Sequence, residues 1–241
     1  MKKALSEMNF ADGEMLLIDK PLGWTSFAVV AQLKKWTKAK IGHAGTLDPL
    51  ASGLMILCTG KYTKKLTALI GLPKAYEGII HLGASTETYD LESLPTSQLD
   101  VSHIEVNTIE NALINFRGNI EQFPPIHSAI KQDGKPIYEL ARQGKEVVVK
   151  SRQLNISAFD ILAYHAPELH FYIACSSGTY IRSLANDLGN SLGCGAYLQS
   201  LRRTEIGEHN ISNSYTIHEM ADYFGSKMNA RIILPAHDRA R

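Results

Sequence analysis

Residues 54–60, LMILCTG, form a continuous apolar run bounded by Gly53 and Gly60. That is the pattern of a β-strand covered on both faces, so the chain must supply a sheet with layers on either side of it. At 241 residues with 44% hydrophobic side chains, it is long enough to do so as one large domain. EMLLIDKP (14–21) reads as a short apolar strand stopped by Pro21, and Thr25-Ser26 caps a helix on which Val29, Leu33 and Trp36 share a face. In KAYEGIIHLG (74–83), a period of two puts Tyr76, Gly78, Ile80 and Leu82 on one side of a strand.

The second half continues the mixture. Residues 106–116 read as helical, and 117–145, with a proline pair and several glycines, as a long excursion carrying one short helix. Residues 146–165 and 168–178 are strand-rich. A helix follows over 179–189, with Thr179 as cap and Gly189 as stop, and the capping box 216-TIHE-219 opens a last one. Strands and helices mix without regular β-α alternation, which predicts an α+β fold around a largely antiparallel sheet.

Several function classes drop out early. No apolar run approaches the roughly 20 residues of a membrane-spanning helix, and MKKALSEMNFADGE lacks the apolar stretch of a signal peptide, so a cytoplasmic protein is expected. Cys58, Cys175 and Cys194 show no C-x-x-C spacing and are expected to pack. The glycines of 42-GHAGTLDPLASG-53 do not make G-x-G-x-x-G, and 53-GLMILCTGK-61 spaces its glycines too widely for a P-loop. No second carboxylate stands near Asp48 to form a catalytic or metal-binding pair.

The net charge is only +1, but it is unevenly spread. Lys34, Lys35, Lys38 and Lys40 precede the glycine-rich loop, and Lys61, Lys64 and Lys65 follow it. Lys131, Lys135, Arg142, Lys145, Lys150 and Arg152 punctuate the later segment, while acids gather between Glu87 and Glu110. Such clusters are solvated faces or phosphate contacts.

Within the loop, Pro49 biases Asp48 away from the right-handed helical region, and the glycines let a ligand approach the backbone. Asp48 is therefore either an outward-facing acid or the acceptor of its own turn's N–H groups. An ionised carboxylate in a partly dry site calls for a cation. Arg182 is the candidate: it lies off the Ile181, Leu184, Leu188 stripe, in a first helical turn where the helix dipole disfavours positive charge. An exposed arginine is the other reading of it.

Six ordered blocks extend these observations: 19-DKPLGWTS-26, 42-GHAGTLDPLASG-53, 74-KAYEGIIHLGASTETYD-90, 123-FPPIHSAIKQDGKPIYELARQG-144, 175-CSSGTYIRSLANDLG-189 and 201-LRRTEIG-207. Together they resemble the TruB family of tRNA pseudouridine synthases, which convert the T-loop uridine, position 55 in tRNA convention, to pseudouridine. The resemblance implies the pseudouridine synthase fold: a mixed, mainly antiparallel sheet flanked by helices, with an inserted RNA-binding excursion at about 117–152.

It gives Asp48 the catalytic role, Arg182 the ion pair that orients it, and Tyr76 a place stacked on the flipped uracil. His43 would fill the space the uridine leaves, Leu201 would pack against the target base, and Lys20 with Pro21 would support the loop. Lys20, Lys64, Lys131 and Arg142 are carried as RNA-binding positions.

No cofactor and no metal are implied. The expected partner is the T-arm of tRNA, with no membrane and no protein partner, for a monomer. One catalytic domain is expected over 1–241, with a short helical tail at about 212–241 in place of the PUA-type RNA-binding domain of many relatives. Relatives often carry lysine where this chain has Ser177, and alanine where it has Tyr62. Two other readings stay open: a non-catalytic tRNA-folding factor on the same scaffold, and a synthase for another RNA.

Overall fold

The computed structural model describes residues 2–96, 98–126, 131–132, 135–137, 147 and 149–228. In chain order the strands are β1 (Met15–Lys20), β2 (Ile41–His43), β3 (Ala51–Thr59), β4 (Lys74–Leu82), β5 (Gly118–Gln122), β6 (Lys131–Gln132), β7 (Lys135–Pro136), β8 (Arg152–His165), β9 (Glu168–Cys175), β10 (Ala196–Ile206), β11 (His209–Asn210) and β12 (Tyr215–Thr216). The chain divides into two units, Met1–Tyr76 with Leu201–Arg241, and Glu77–Ser200. It passes from the first to the second within β4 and returns within β10. The sheet is mixed and mainly antiparallel, with helices packed on it, so the fold is α+β.

In the first unit the strand order is β12-β1-β3-β10, with β2 added to β3 and β11 to β10. Pairing is antiparallel between β1 and β3 (Leu16 opposite Leu57) and parallel between β3 and β10 (Ala51 opposite Leu201). The apolar run sits in β3, where every residue but Ser52 is buried. Leu54, Ile56 and Cys58 pack with Ala44 and Ile206 beneath Leu66, Leu69 and Leu72. Period two turns Met55 and Leu57 to the opposite face. Each such fully buried Leu or Ile contributes roughly 1.5–3 kcal/mol.

The Ser26–Thr37 helix buries Val29, Leu33 and Trp36 as expected, and Trp36 stacks on Phe224 of the Ile217–Met228 helix at 5.7 Å. That last helix opens on the capping box: the Thr216 N–H donates to Glu219 Oε2 (2.7 Å) and the Glu219 N–H to Thr216 Oγ1 (3.1 Å). The three cysteines are free and buried. Among the described residues, no helix is long and apolar enough to cross a membrane.

The second unit is built on β8 and β9, a long antiparallel pair whose β9 alternates half-buried and buried residues without a break. Two sequence-based expectations need correction here. β5 pairs antiparallel with β8, with Gln122 opposite Arg152, so residues 118–122 belong to the sheet and the excursion begins only after them. The helix runs over Ile181–Ser191, and neither Thr179 nor Gly189 ends it. The Thr179 hydroxyl donates instead to the Ser176 carbonyl (2.9 Å). Gln122 does the capping: its Oε1 accepts from the Tyr180 N–H (2.9 Å) and its Nε2 donates to the Tyr180 carbonyl (3.0 Å). Gly189 is needed for close approach, since a Cβ there would overlap the backbone of Gly195 and Ala196.

Candidate active site

The glycine-rich segment is less of a loop than its composition suggests. Gly42 and His43 belong to β2 and Ala51 to Gly53 to β3, which leaves residues 44–50 as the connection. All five carbonyls from Gly45 to Pro49 are engaged. Arg203 donates from Nη2 to Gly45 (3.3 Å) and from Nη1 to Thr46 (3.4 Å). The Ser26 hydroxyl donates to Leu47 (3.0 Å) and accepts the Leu47 N–H in return (2.9 Å). The carbonyl of Asp48 accepts from Ala51 N–H (3.1 Å), closing a turn, and that of Pro49 from Gly23 N–H (2.9 Å). Gly45 supplies the positive φ, 97°, that the bend requires. Asp48, in the middle, is half-buried.

Three cations are buried around this connection within the first unit. Lys20 is 0% exposed, and its Nζ donates to the carbonyls of Trp24 (2.6 Å), Pro21 (3.1 Å) and, at the limit, Pro49 (3.5 Å). Burial pulls the ammonium down to about 8; Asp48 opposes that shift and Arg203 reinforces it. Lys20 is thus neither a solvated strand end nor an exposed RNA contact, and its place is under the loop. Lys74 donates to the carbonyls of Ile70 and Leu72, both at 2.6 Å. Arg203 is 1% exposed and adds a 2.7 Å bond from Nε to the Leu54 carbonyl. Its neighbour Arg202 points outward to a surface ion pair with Asp19 (2.7 Å).

The first unit also carries His43, Lys64, Tyr76 and Leu201. His43 ends β2 opposite Leu57 and is half-buried. Burial holds its imidazole below the usual histidine range against the opposing effect of the Gly45 backbone, and Nδ1 has no partner at hydrogen-bonding geometry. Tyr76 is buried at 8% exposure, in keeping with its apolar strand face. Leu201 is half-buried beside Ala51, three residues past Asp48. Lys64 is exposed on the 3₁₀ turn Gly60–Lys65, where Lys65 lies 3.8 Å over the ring of Tyr62.

Arg182 belongs to the second unit and is buried, which removes the exposed-arginine reading. Within that unit its Nη1 lies 3.7 Å from Oδ2 of Asp90. Asp90, itself buried, takes the Thr88 hydroxyl (2.6 Å) and the Glu92 N–H (3.0 Å) on Oδ1. Lys131 is in the two-stranded ribbon β6-β7, and Arg142 lies outside the described residues.

The sequence offers Ser26 only as a helix cap beside Thr25 and gives Arg203 and Asp90 no role of their own. Ser26 was hidden behind Thr25, which takes the helix cap itself by accepting from Ala28 N–H (3.0 Å). Period two in 201-LRRTEIG-207 sets Arg203 on the side of Leu201, away from Arg202, and that alternation was the available signal.

Comparison with known proteins places this geometry. A family model described as "TruB family pseudouridylate synthase (N terminal domain)" matches residues 33–181, and one described as "tRNA pseudouridylate synthase B C-terminal domain" matches 182–238. A protein of Flavobacterium johnsoniae named tRNA pseudouridine synthase B is 46% identical over 216 residues, covering 86% of this chain and 94% of its own length. One of the same name from Phocaeicola vulgatus is 42% identical over 233 residues, covering 94% and 99%. Among solved structures, a chain of a Cbf5-Nop10-Gar1 complex matches with a TM-score of 0.70 and 29% identity. That match covers 94% of this chain but only 59% of the solved one.

Proposed function

We propose, since this chain belongs to the TruB family of pseudouridylate synthases and isomerises uridine to pseudouridine in tRNA, that its target is the T-loop uridine at position 55 and that Asp48 is its catalytic carboxylate. The observation that supports this role is the connection itself. With every carbonyl from Gly45 to Pro49 engaged, the backbone that carries Asp48 is held in one shape.

The reaction breaks the N1–C1′ bond, turns the uracil and joins C5 to C1′; a proton leaves C5 and one is gained at N1. Nothing is oxidised or reduced. An ionised carboxylate serves either as nucleophile at C1′ or as base toward the C2′ proton, and both routes need it charged. Arg182 is the cation assigned to it, Tyr76 the stacking partner of the uracil, and Leu201 the apolar contact to the base. A uridine inside a folded loop has to be extruded, at a few kcal/mol of lost stacking. His43, short of a partner on Nδ1, suits the role of filling the vacancy. In this reading the chain works as a monomer on the T-arm alone.

Tritium release from 5-tritiated uridine in a T-arm hairpin tests the proposal, with no metal or nucleotide added. The native chain should release tritium, and Asp48→Asn should bind the hairpin without releasing it. Near-normal release by Asp48→Asn removes Asp48 from the mechanism. Binding without release by the native chain, on intact tRNA as well, favours the RNA-folding reading.

A further inference from the structure

Arg203 is an arginine in an unusual position. It is 1% exposed, and all its hydrogen bonds go to backbone carbonyls, those of Gly45, Thr46 and Leu54. Among the described residues no carboxylate forms an ion pair with it. Burying a guanidinium without a counter-ion is costly, and carbonyl dipoles offset only part of that. A neutral amide would cost less to bury, but its single NH2 group cannot reach the three carbonyls that Nε, Nη1 and Nη2 hold on two segments.

The placement shows what that reach serves. Gly45 and Thr46 lie three and two residues before Asp48, so the fork grips the connection just ahead of the carboxylate. The same strand also fixes the far end: a Cβ on Gly53 would overlap the backbone of Arg203, so β3 and β10 touch there. Lys20 senses both Asp48 and Arg203, which puts the three groups in one electrostatic neighbourhood. Facing that neighbourhood are Lys20 from β1, His43 from β2, Lys74 from β4 and Arg203 from β10. Asp19 is drawn off to Arg202 on the exposed side.

We propose that Arg203 is a positioning residue for Asp48: its fork, on the Gly45 and Thr46 carbonyls, sets the turn that presents the carboxylate. This rests on Asp48 being the catalytic carboxylate. A bidentate fork is not replaced by an ammonium, so Arg203→Lys removes the brace while keeping the charge.

The test is single-turnover tritium release from a T-arm hairpin by the native chain, Arg203→Gln and Arg203→Lys, with KM and thermal unfolding measured alongside. Arg203→Gln should lose at least about tenfold in kcat with KM little changed. Arg203→Lys, which keeps the charge but not the fork, should lose kcat as well. A native kcat in folded Arg203→Gln overturns the proposal. Should the Gln variant fail to fold, the Lys variant decides, and a native kcat there overturns it equally. Asp48→Asn is run in parallel: failure of the catalytic reading appears as loss of its difference from the native chain, and failure of the Arg203 proposal as native kcat values with that difference intact.

Discussion

Ser26 shows how much one hydroxyl does at this site. It is buried and both donates to and accepts from Leu47, so Ser26→Ala strands a backbone N–H and a carbonyl one residue from Asp48. Each stranded group costs about 1–3 kcal/mol, and we expect a clear fall in thermal midpoint together with a lower kcat. An unchanged midpoint would show that the bonds are replaced. Lys20 makes a second prediction at this scale. Its folded-state value is about 8 against an ordinary 10.5, so between those limits the unfolded chain holds more protons. Stability from this group therefore rises with pH over that window, and Lys20→Met should remove the rise from denaturant titrations at pH 8 and 10. The sequence made Asp48 conspicuous because Pro49 and the glycines surround it. It could not show the partners of Ser26 and Arg203, which are 21 and 149 or more residues away.

At the scale of elements, regular patterns were legible and substituted partners were not. The apolar run of β3, the strand at β9 and the stripe Val29, Leu33, Trp36 each appear where the sequence pattern puts them. The start of the Ile181–Ser191 helix does not, because Gln122 caps it from 58 residues upstream and the local candidate, Thr179, bonds elsewhere. The reason for Gly189 is likewise a neighbour that local sequence cannot reveal. Gly189→Ala should destabilise by about 2 kcal/mol or more in chemical denaturation, since the obstacle is rigid backbone. An alanine tolerated there would mean that the Gly195 turn yields. For the capping box, Glu219→Ala should cost about 1 kcal/mol and Glu219→Gln less, since the amide oxygen still accepts from Thr216.

Over the whole molecule, a net charge of +1 conceals an uneven distribution. The Ser26–Thr37 helix contains no acid. Lys34, Lys35 and Lys38 are exposed at its end, and Lys61, Lys64 and Lys65 are exposed on the turn that follows β3. Binding of a T-arm hairpin should weaken steeply with salt. Replacing Lys34, Lys35 and Lys38 by Gln should lower the slope of log K against log salt by roughly 0.7–0.9 for each phosphate that is no longer neutralised, with melting unchanged. A slope equal to the native one would take that helix out of the interface. The division into units has a further consequence, for biosynthesis. The first unit is assembled from two separated segments, and the bond from Arg203 to Leu54 joins residues 149 positions apart. At about 5–20 residues per second, the ribosome delivers Arg203 on the order of ten seconds after Asp48. Throughout that interval the nascent chain lacks the hydrogen bonds from Arg203 to Gly45 and Thr46, so the connection before β3 cannot complete its observed bonding until translation has passed β10.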